Sequence, residues 1–247
     1  ANDLKPHRTA QFKLSTDPDF DRKFWDVIGL YLNPPDRAII LCCDEKSQCQ
    51  ALERTQRALP LMSGHAKTFT HDYIRHGTLT LFAALDYLDG KVFSRIEQQH
   101  THREWLLFLK QVDKECPDGL TLHLILDNYA THKRAEVVSW MERRNAAHEK
   151  RHGIKRMEMH FTPTSSSWMN LVERFFGDIT QQALLNESFG SVKELARRIL
   201  DYIGMHNLDP KRYVWKAEGR VILEKIQRAR RKLAEEYLEK PISGTGH

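Results

Sequence analysis

Apolar and polar positions change their spacing several times along the chain, and each change predicts an element. Residues 21–32 place Phe24, Trp25, Ile28 and Leu32 at helical spacing before an Asn-Pro-Pro-Asp turn, where proline stops the helix. This reads as a docking helix behind a polar linker. Residues 38–43, AIILCC, form an unbroken apolar run that ends at Asp44, the pattern of a central strand buried on both faces. Residues 56–77 hold a proline, two glycines and three histidines without periodicity and predict a loop. Residues 78–87 and 92–97 alternate as two strands, with a tight-turn signal at Asp89-Gly90 between them.

Thr101 with Glu104 makes a capping box for a helix carrying Trp105, Leu106, Phe108, Leu109 and Val112, closed by Pro117-Asp118-Gly119. Residues 120–126 predict a strand, 134–148 a helix and 157–161 a short strand. After the loop TPTSSS, helices are expected over 167–185, 191–207 and 218–239. In the last of these, Ile222, Ile226, Ala229, Leu233 and Tyr237 repeat at helical spacing opposite a basic side, the pattern of a helix docked on the core. Strands that first meander and then alternate with helices require a mixed sheet, antiparallel at one edge and parallel at the other. The predicted class is α/β, with five strands flanked by helices. The terminal PISGTGH reads as a flexible tail.

Composition narrows the function only slightly. The chain has 247 residues, 40% hydrophobic and 29% charged, long enough for one large domain or two small ones. No apolar run approaches the roughly 20 residues of a membrane-spanning helix. The first twenty residues lack the apolar core of a secretory signal, so the expected location is the cytoplasm. Cys42, Cys43, Cys49 and Cys116 form no CxxC pair and are expected to be buried free thiols. The net charge of +5, with 13 histidines uncounted, favours an anionic partner such as nucleic acid without specifying one.

The candidate chemistry lies in three acids. Asp44 ends the first predicted strand, Asp127 ends the fourth, and Glu173 opens the helix after the fifth. Adjacent parallel strands deliver their C-terminal ends to one edge, where ligands of open α/β sheets bind. Crowded carboxylates repel, so a convergence of three implies a hard divalent cation such as Mg²⁺. Each residue also has a plainer reading: Asp127 before Asn128 as a turn, Glu173 as a helix-dipole partner, Asp44 in a charge cluster with Glu45 and Lys46. Spacing alone leaves both readings open.

Four segments then carry a resemblance. DEKSQCQALERT (44–55), HDYIRHGTLTLFAAL (71–85), DNYATHK (127–133) and HFTPTSSSWMNLVERFF (160–176) resemble, in order, the catalytic domain of DDE transposases of the mariner superfamily, in its bacterial insertion-sequence branch. The resemblance implies a ribonuclease H-like fold and Mg²⁺-dependent cleavage and strand transfer of DNA, with Mn²⁺ as a substitute. It also implies an acid triad of Asp44, Asp127 and Glu173 holding two ions, a homodimer in the synaptic complex and a TA target dinucleotide. It implies no membrane and no small-molecule cofactor. The expected layout is a linker and docking helix over 1–35, a catalytic domain over 36–215, and a C-terminal helix with its tail over 216–247. Relatives carry N-terminal helix-turn-helix domains, and this sequence starts at what resembles the linker behind them. The Asp127 to Glu173 interval is longer than is typical, with the extra residues around 143–156 expected in a longer helix and surface loop.

Glu45 rivals Asp44, because neighbouring strand residues face opposite sides and only one can meet a metal. Lys46, Arg75, His76, Asn128, His132, Lys133 and Asn170 are candidates for DNA contact or for shaping the site, with His132 as readily structural. His71, His76, His100 and His102 match no standard zinc spacing. Trp168 is expected to be a packing anchor. A related nuclease or integrase, or a non-catalytic DNA-binding domain, shares most of these features.

Overall fold

The computed structural model describes residues 15–55 and 72–239, without the side chains of 230 and 232–239. The expectations for His71, Leu233, Tyr237, the tail at 241–247 and the linker before residue 15 lie outside the described residues. Five strands, β1 (Ala38–Arg54), β2 (Tyr73–Asp86), β3 (Val92–Glu97), β4 (Thr121–Leu126) and β5 (Met157–Phe161), form one sheet in the order β3-β2-β1-β4-β5. β1 pairs antiparallel with β2, and β2 with β3, while β1/β4 and β4/β5 are parallel. The expected mixed sheet is therefore present, with its antiparallel and parallel edges.

Side-chain alternation along β1 sorts the core into two layers. Ile40 and Cys42 pack with α1 (Phe20–Leu32), α4 (Val172–Ile179) and α5 (Val192–Leu208). Leu41 and Cys43 face the other way, toward α2 (His102–Glu115) and α3 (Ala135–His152). The pleat of a strand sends successive side chains to opposite faces, so a single continuous apolar run feeds both layers. α1 joins the first layer through Phe24, Val27, Ile28 and Tyr31, whereas Leu32 is exposed. From α6 (Gly219–Glu239), Ile222, Leu223 and Ile226 pack against the same layer.

Several boundaries differ from the sequence pattern. β1 does not end at Asp44 but runs on to Arg54, and β2 begins at Tyr73 inside the expected loop. The two extensions pair with each other, from Cys49↔Leu79 to Arg54↔Tyr73, with a register shift after Lys46 and Gln48 at φ 53°. Only Cys49 and Ala51 of this arm are buried on β1, so ladder hydrogen bonds hold it where apolar periodicity gives no signal. The helix expected over 167–185 is a 3₁₀ turn (Ser167–Met169), then α4, then a π-helical segment (Thr180–Leu184). Thr180 Oγ1 donates to the Phe176 carbonyl at 2.6 Å, the back-bonding that loosens a helix.

Elsewhere the agreement is close. The Thr101 capping box is formed with Glu104. Gly90 adopts φ 78° in the β2–β3 turn, where a Cβ would meet the Lys211 backbone at 2.9 Å. All four cysteines are free and buried. The extra residues after Asp127 lengthen α3 to His152 and pin it to β5. Asn145 accepts from the Arg156 and Met157 N–H groups, and the Arg156 guanidinium is fully buried beside Asp113.

Candidate active site

Asp44 continues the face of Ile40 and Cys42, the face covered by α4, which opens with Glu173 in its first turn. β4 is in register with β1 at Cys42↔Ile125, so the residues two further on, Asp44 inside β1 and Asp127 just past the end of β4, stand side by side. The pleat thereby decides between neighbours. Asp44 faces the layer of Glu173, while Glu45 faces the α2/α3 layer, where its Oε2 lies 3.6 Å from His132 Nε2.

The electrostatics show the three acids sensing one another. Asp44 is 9% exposed, and burial pushes its carboxyl up to about 8, with the charges of Glu45, Asp127 and Glu173 adding to the effect. Its Oδ1 accepts from the Glu45 N–H at 2.8 Å. Burial and the charge of Asp127 also raise Glu173, which Lys46 partly offsets. Asp127 behaves oppositely. Burial alone would raise it, but hydrogen bonds from His132 and the Tyr129 N–H, with the charges of His132 and Lys133, hold it below the usual carboxylate range.

The donor set is all oxygen and its charge is uncompensated at Asp44, which fits a hard divalent cation. The triad is not among the described groups whose ligand atoms all lie within 4.8 Å of one another, so a shared ion requires side-chain rotation. Glu173 is exposed and has the freedom to supply it. Beside the acids, Asn170 is 1% exposed, donates to the Cys43 carbonyl at 2.8 Å, and leaves its own Oδ1 without a partner.

The remaining candidates separate into two groups. His132 is fully buried, with its ring 4.6 Å from that of Trp105 and its Nδ1 3.3 Å from Asp127 Oδ1. It is a structural clamp between Asp127 and Glu45. Asn128 and Lys133 bond to each other at the exit of β4, with Lys133 Nζ 4.3 Å from the Phe161 ring centroid. Lys46 stands close enough to Glu173 to lower it. Arg75 and His76, by contrast, are not in a loop near the acids. They lie in β2 on the extended arm, where Arg75 pairs with Leu52, roughly 25 Å along the strand from Asp44. His76 Nε2 is 2.6 Å from Glu53 Oε2.

Trp168 is 45% exposed rather than buried, and stacks on Trp215 at 6.0 Å; Met169 and Leu171 fill the core in its place. Among residues the pattern did not single out, Asp17 ties the start of α1 to the loop before α4. Its Oδ2 accepts from Lys23 Nζ at 2.7 Å and from the Thr164 N–H at 3.0 Å. No local signal marks that pair, because its partners lie far apart in sequence.

Comparison with known proteins supplies the family. Residues 39–196 match the profile of the DDE superfamily endonucleases. The chain belongs to that family. No curated protein matches the sequence. Among solved structures, the fold is similar to the Mos1 mariner paired-end complex with Mn, at 13% identity and TM-score 0.54, covering 80% of this chain and 59% of that one. It is similar also to the Mos1 paired-end complex with Mg, at 12% identity and TM-score 0.56, covering 95% and 67%. The Mos1 strand transfer complex matches at 11% identity and TM-score 0.54, covering 91% and 63%. This chain thus spans about 59% of the first of these relatives, and at such identities the likeness is one of fold.

Proposed function

We propose that this chain is the catalytic domain of a DNA transposase that cuts strands at element ends and joins them to target DNA, with divalent cations held by Asp44, Asp127 and Glu173. The observation that carries the reading is the convergence of these acids on one sheet face, with Asp44 buried and its carboxyl raised to about 8. A fold that buries a carboxylate beside two others without a basic partner reserves the place for a cation.

Asp44, Asp127 and Glu173 would together hold the two ions. Mg²⁺ suits all-oxygen ligation, with Mn²⁺ as its substitute. When bound, such a pair supplies Lewis acidity at the scissile phosphate and at both the attacking and the leaving oxygen. The chain's own residues do the rest. His132 holds Asp127 ionised and oriented, Asn170 fixes the entry to α4, and Lys46, Asn128 and Lys133 flank the acids where a phosphate backbone would pass. Water as the nucleophile gives cleavage, and a DNA 3′-hydroxyl gives strand transfer. The fold shared with a Mos1 paired-end complex and a Mos1 strand transfer complex supports element ends as the substrate class, and the proposed working assembly is a homodimer in a synaptic complex. The catalytic unit is assigned to residues 36–215, with α1 and α6 docked onto it.

Asp127→Asn and Glu173→Gln should abolish Mg²⁺-dependent cleavage of a labelled DNA end while circular dichroism and the melting temperature report an intact fold. Cleavage retained in both would overturn the assignment. A strand-transfer assay on the same substrate separates a transposase from a nuclease that only cuts.

A further inference from the structure

Away from the acids, the parallel pairing of β4 and β5 creates a second cluster. His123 and Glu158 are register partners, and His160 lies two residues further along β5, on the same sheet face. His123 Nδ1 is 3.0 Å from His160 Nε2 and 3.9 Å from Glu158 Oε2, and the ligand atoms of all three lie within 4.8 Å of one another. Two nitrogens bound to one zinc ion at about 2.0–2.1 Å in tetrahedral geometry stand roughly 3.3 Å apart. The pair is already close to that spacing.

The surroundings also suit a cation. Asp26 of α1 accepts from His160 Nδ1 at 2.9 Å, which directs the Nε2 lone pair toward His123, as a carboxylate orients a ligating histidine in metal proteins. Burial, with the neighbouring His160, lowers the pKa of His123. A similar group, Asp118 with His148 and His152, is less suited. Its carboxylate is already within 3.3–3.6 Å of the Arg151 and Arg144 guanidinium groups.

We infer that His123, Glu158 and His160 form a zinc-type transition-metal site, with Asp26 as the positioning carboxylate and one coordination place left for water. Two nitrogens and an oxygen select Zn²⁺, Co²⁺ or Ni²⁺ over the Mg²⁺ that an all-oxygen acid cluster takes. The ion staples the outermost strand β5 to β4 and, through His160 and Asp26, to α1. The site is independent of cleavage chemistry and stands or falls without it.

Zn²⁺ is titrated calorimetrically into the full chain in excess Mg²⁺, which occupies the acid cluster, with melting followed in parallel. One Zn²⁺ per chain is expected, with a raised melting temperature, and Co²⁺ in its place should give the visible absorption of a low-coordinate ion. His160→Gln should weaken binding at least about 100-fold, and Glu158→Gln and Asp26→Asn by roughly 10- to 100-fold. Glu158 is partly exposed, so its variant keeps the test open if the His160 variant fails to fold. His152→Gln should leave the affinity unchanged. Absence of uptake, binding unaltered in the folded Glu158 variant, or binding lost on His152→Gln would each overturn the assignment.

Discussion

Asn170 donates from Nδ2 to the carbonyl oxygen of Cys43 at 2.8 Å, joining the turn that leads into α4 to the strand residue immediately before Asp44. The two elements that carry Glu173 and Asp44 are thus linked by one buried side chain. Asn170→Ala leaves a buried carbonyl with one partner fewer and should destabilise the fold by about 1–3 kcal/mol. Cleavage should fall further than in Asn145→Ala, a comparable loss remote from the acids, when both are assayed at equal folded fraction. Equal losses would reduce Asn170 to a stability role.

The burial of Asp44 makes a pH prediction. Its folded pKa, raised to about 8, lies above the unfolded value of 3.8, so the folded state favours the protonated form. The associated stability is present below about pH 4 and is lost as pH rises through 8. Without divalent cations, melting temperature should therefore decline over that window more steeply in the wild type than in Asp44→Asn. Saturating Mg²⁺ should flatten the wild-type curve. Parallel curves in the absence of metal would show that Asp44 is not the group responsible.

His132 predicts a different window. Burial alone would lower its pKa, but the carboxylates of Asp127 and Glu45, 3.3 and 3.6 Å from its ring nitrogens, raise it to about 9, above the ordinary 6.5. Its contribution is full below pH 6.5 and lost as pH rises through 9. His132→Gln removes the cationic partner of Glu45, whose side chain is 12% exposed, and should cost about 3–5 kcal/mol in chemical denaturation. Adding Glu45→Gln should recover part of that loss, because the stranded charge disappears with it. A double variant no more stable than the single one would contradict the pairing.

Arg156 is fully buried, with all five guanidinium hydrogens engaged: Asp113 Oδ1 and the carbonyls of Asp113, Cys116, Pro117 and Leu120. It closes the junction between α2, β4 and β5. Arg156→Lys cannot reproduce the planar fork and should destabilise by about 3 kcal/mol or more, despite keeping the charge. Urea melts of the two proteins provide the comparison, and a shift under 1 kcal/mol would count against the network.

Much of this was legible in the chain. The period of apolar residues marked α2, β3, β5 and α5 to within a residue or two, because each element buries one face or stripe and that face repeats locally. The meander followed by alternation with helices specified the mixed sheet, and Asp44, Asp127 and Glu173 stood at the ends of runs that close packing must bury. Cys42 and Cys43 showed why the acid strand is central: an unbroken apolar run has to face core on both sides.

The tertiary structure decided what local pattern has no means to express. Asp44 and Glu45 are indistinguishable as neighbours, and only the packing of α4 against the Ile40 and Cys42 face puts Asp44 on the side of Glu173. The arm from Cys49 to Arg54 looks polar, and pairing with residues 73–79 alone makes it strand, carrying Arg75 and His76 away from the acids. His123 and His160, far apart in sequence, are brought together by parallel register. Periodicity reports which side of an element is buried. Which other element buries it, and hence which distant side chains meet, is set by strand register and helix packing, and those exist only once the chain has folded.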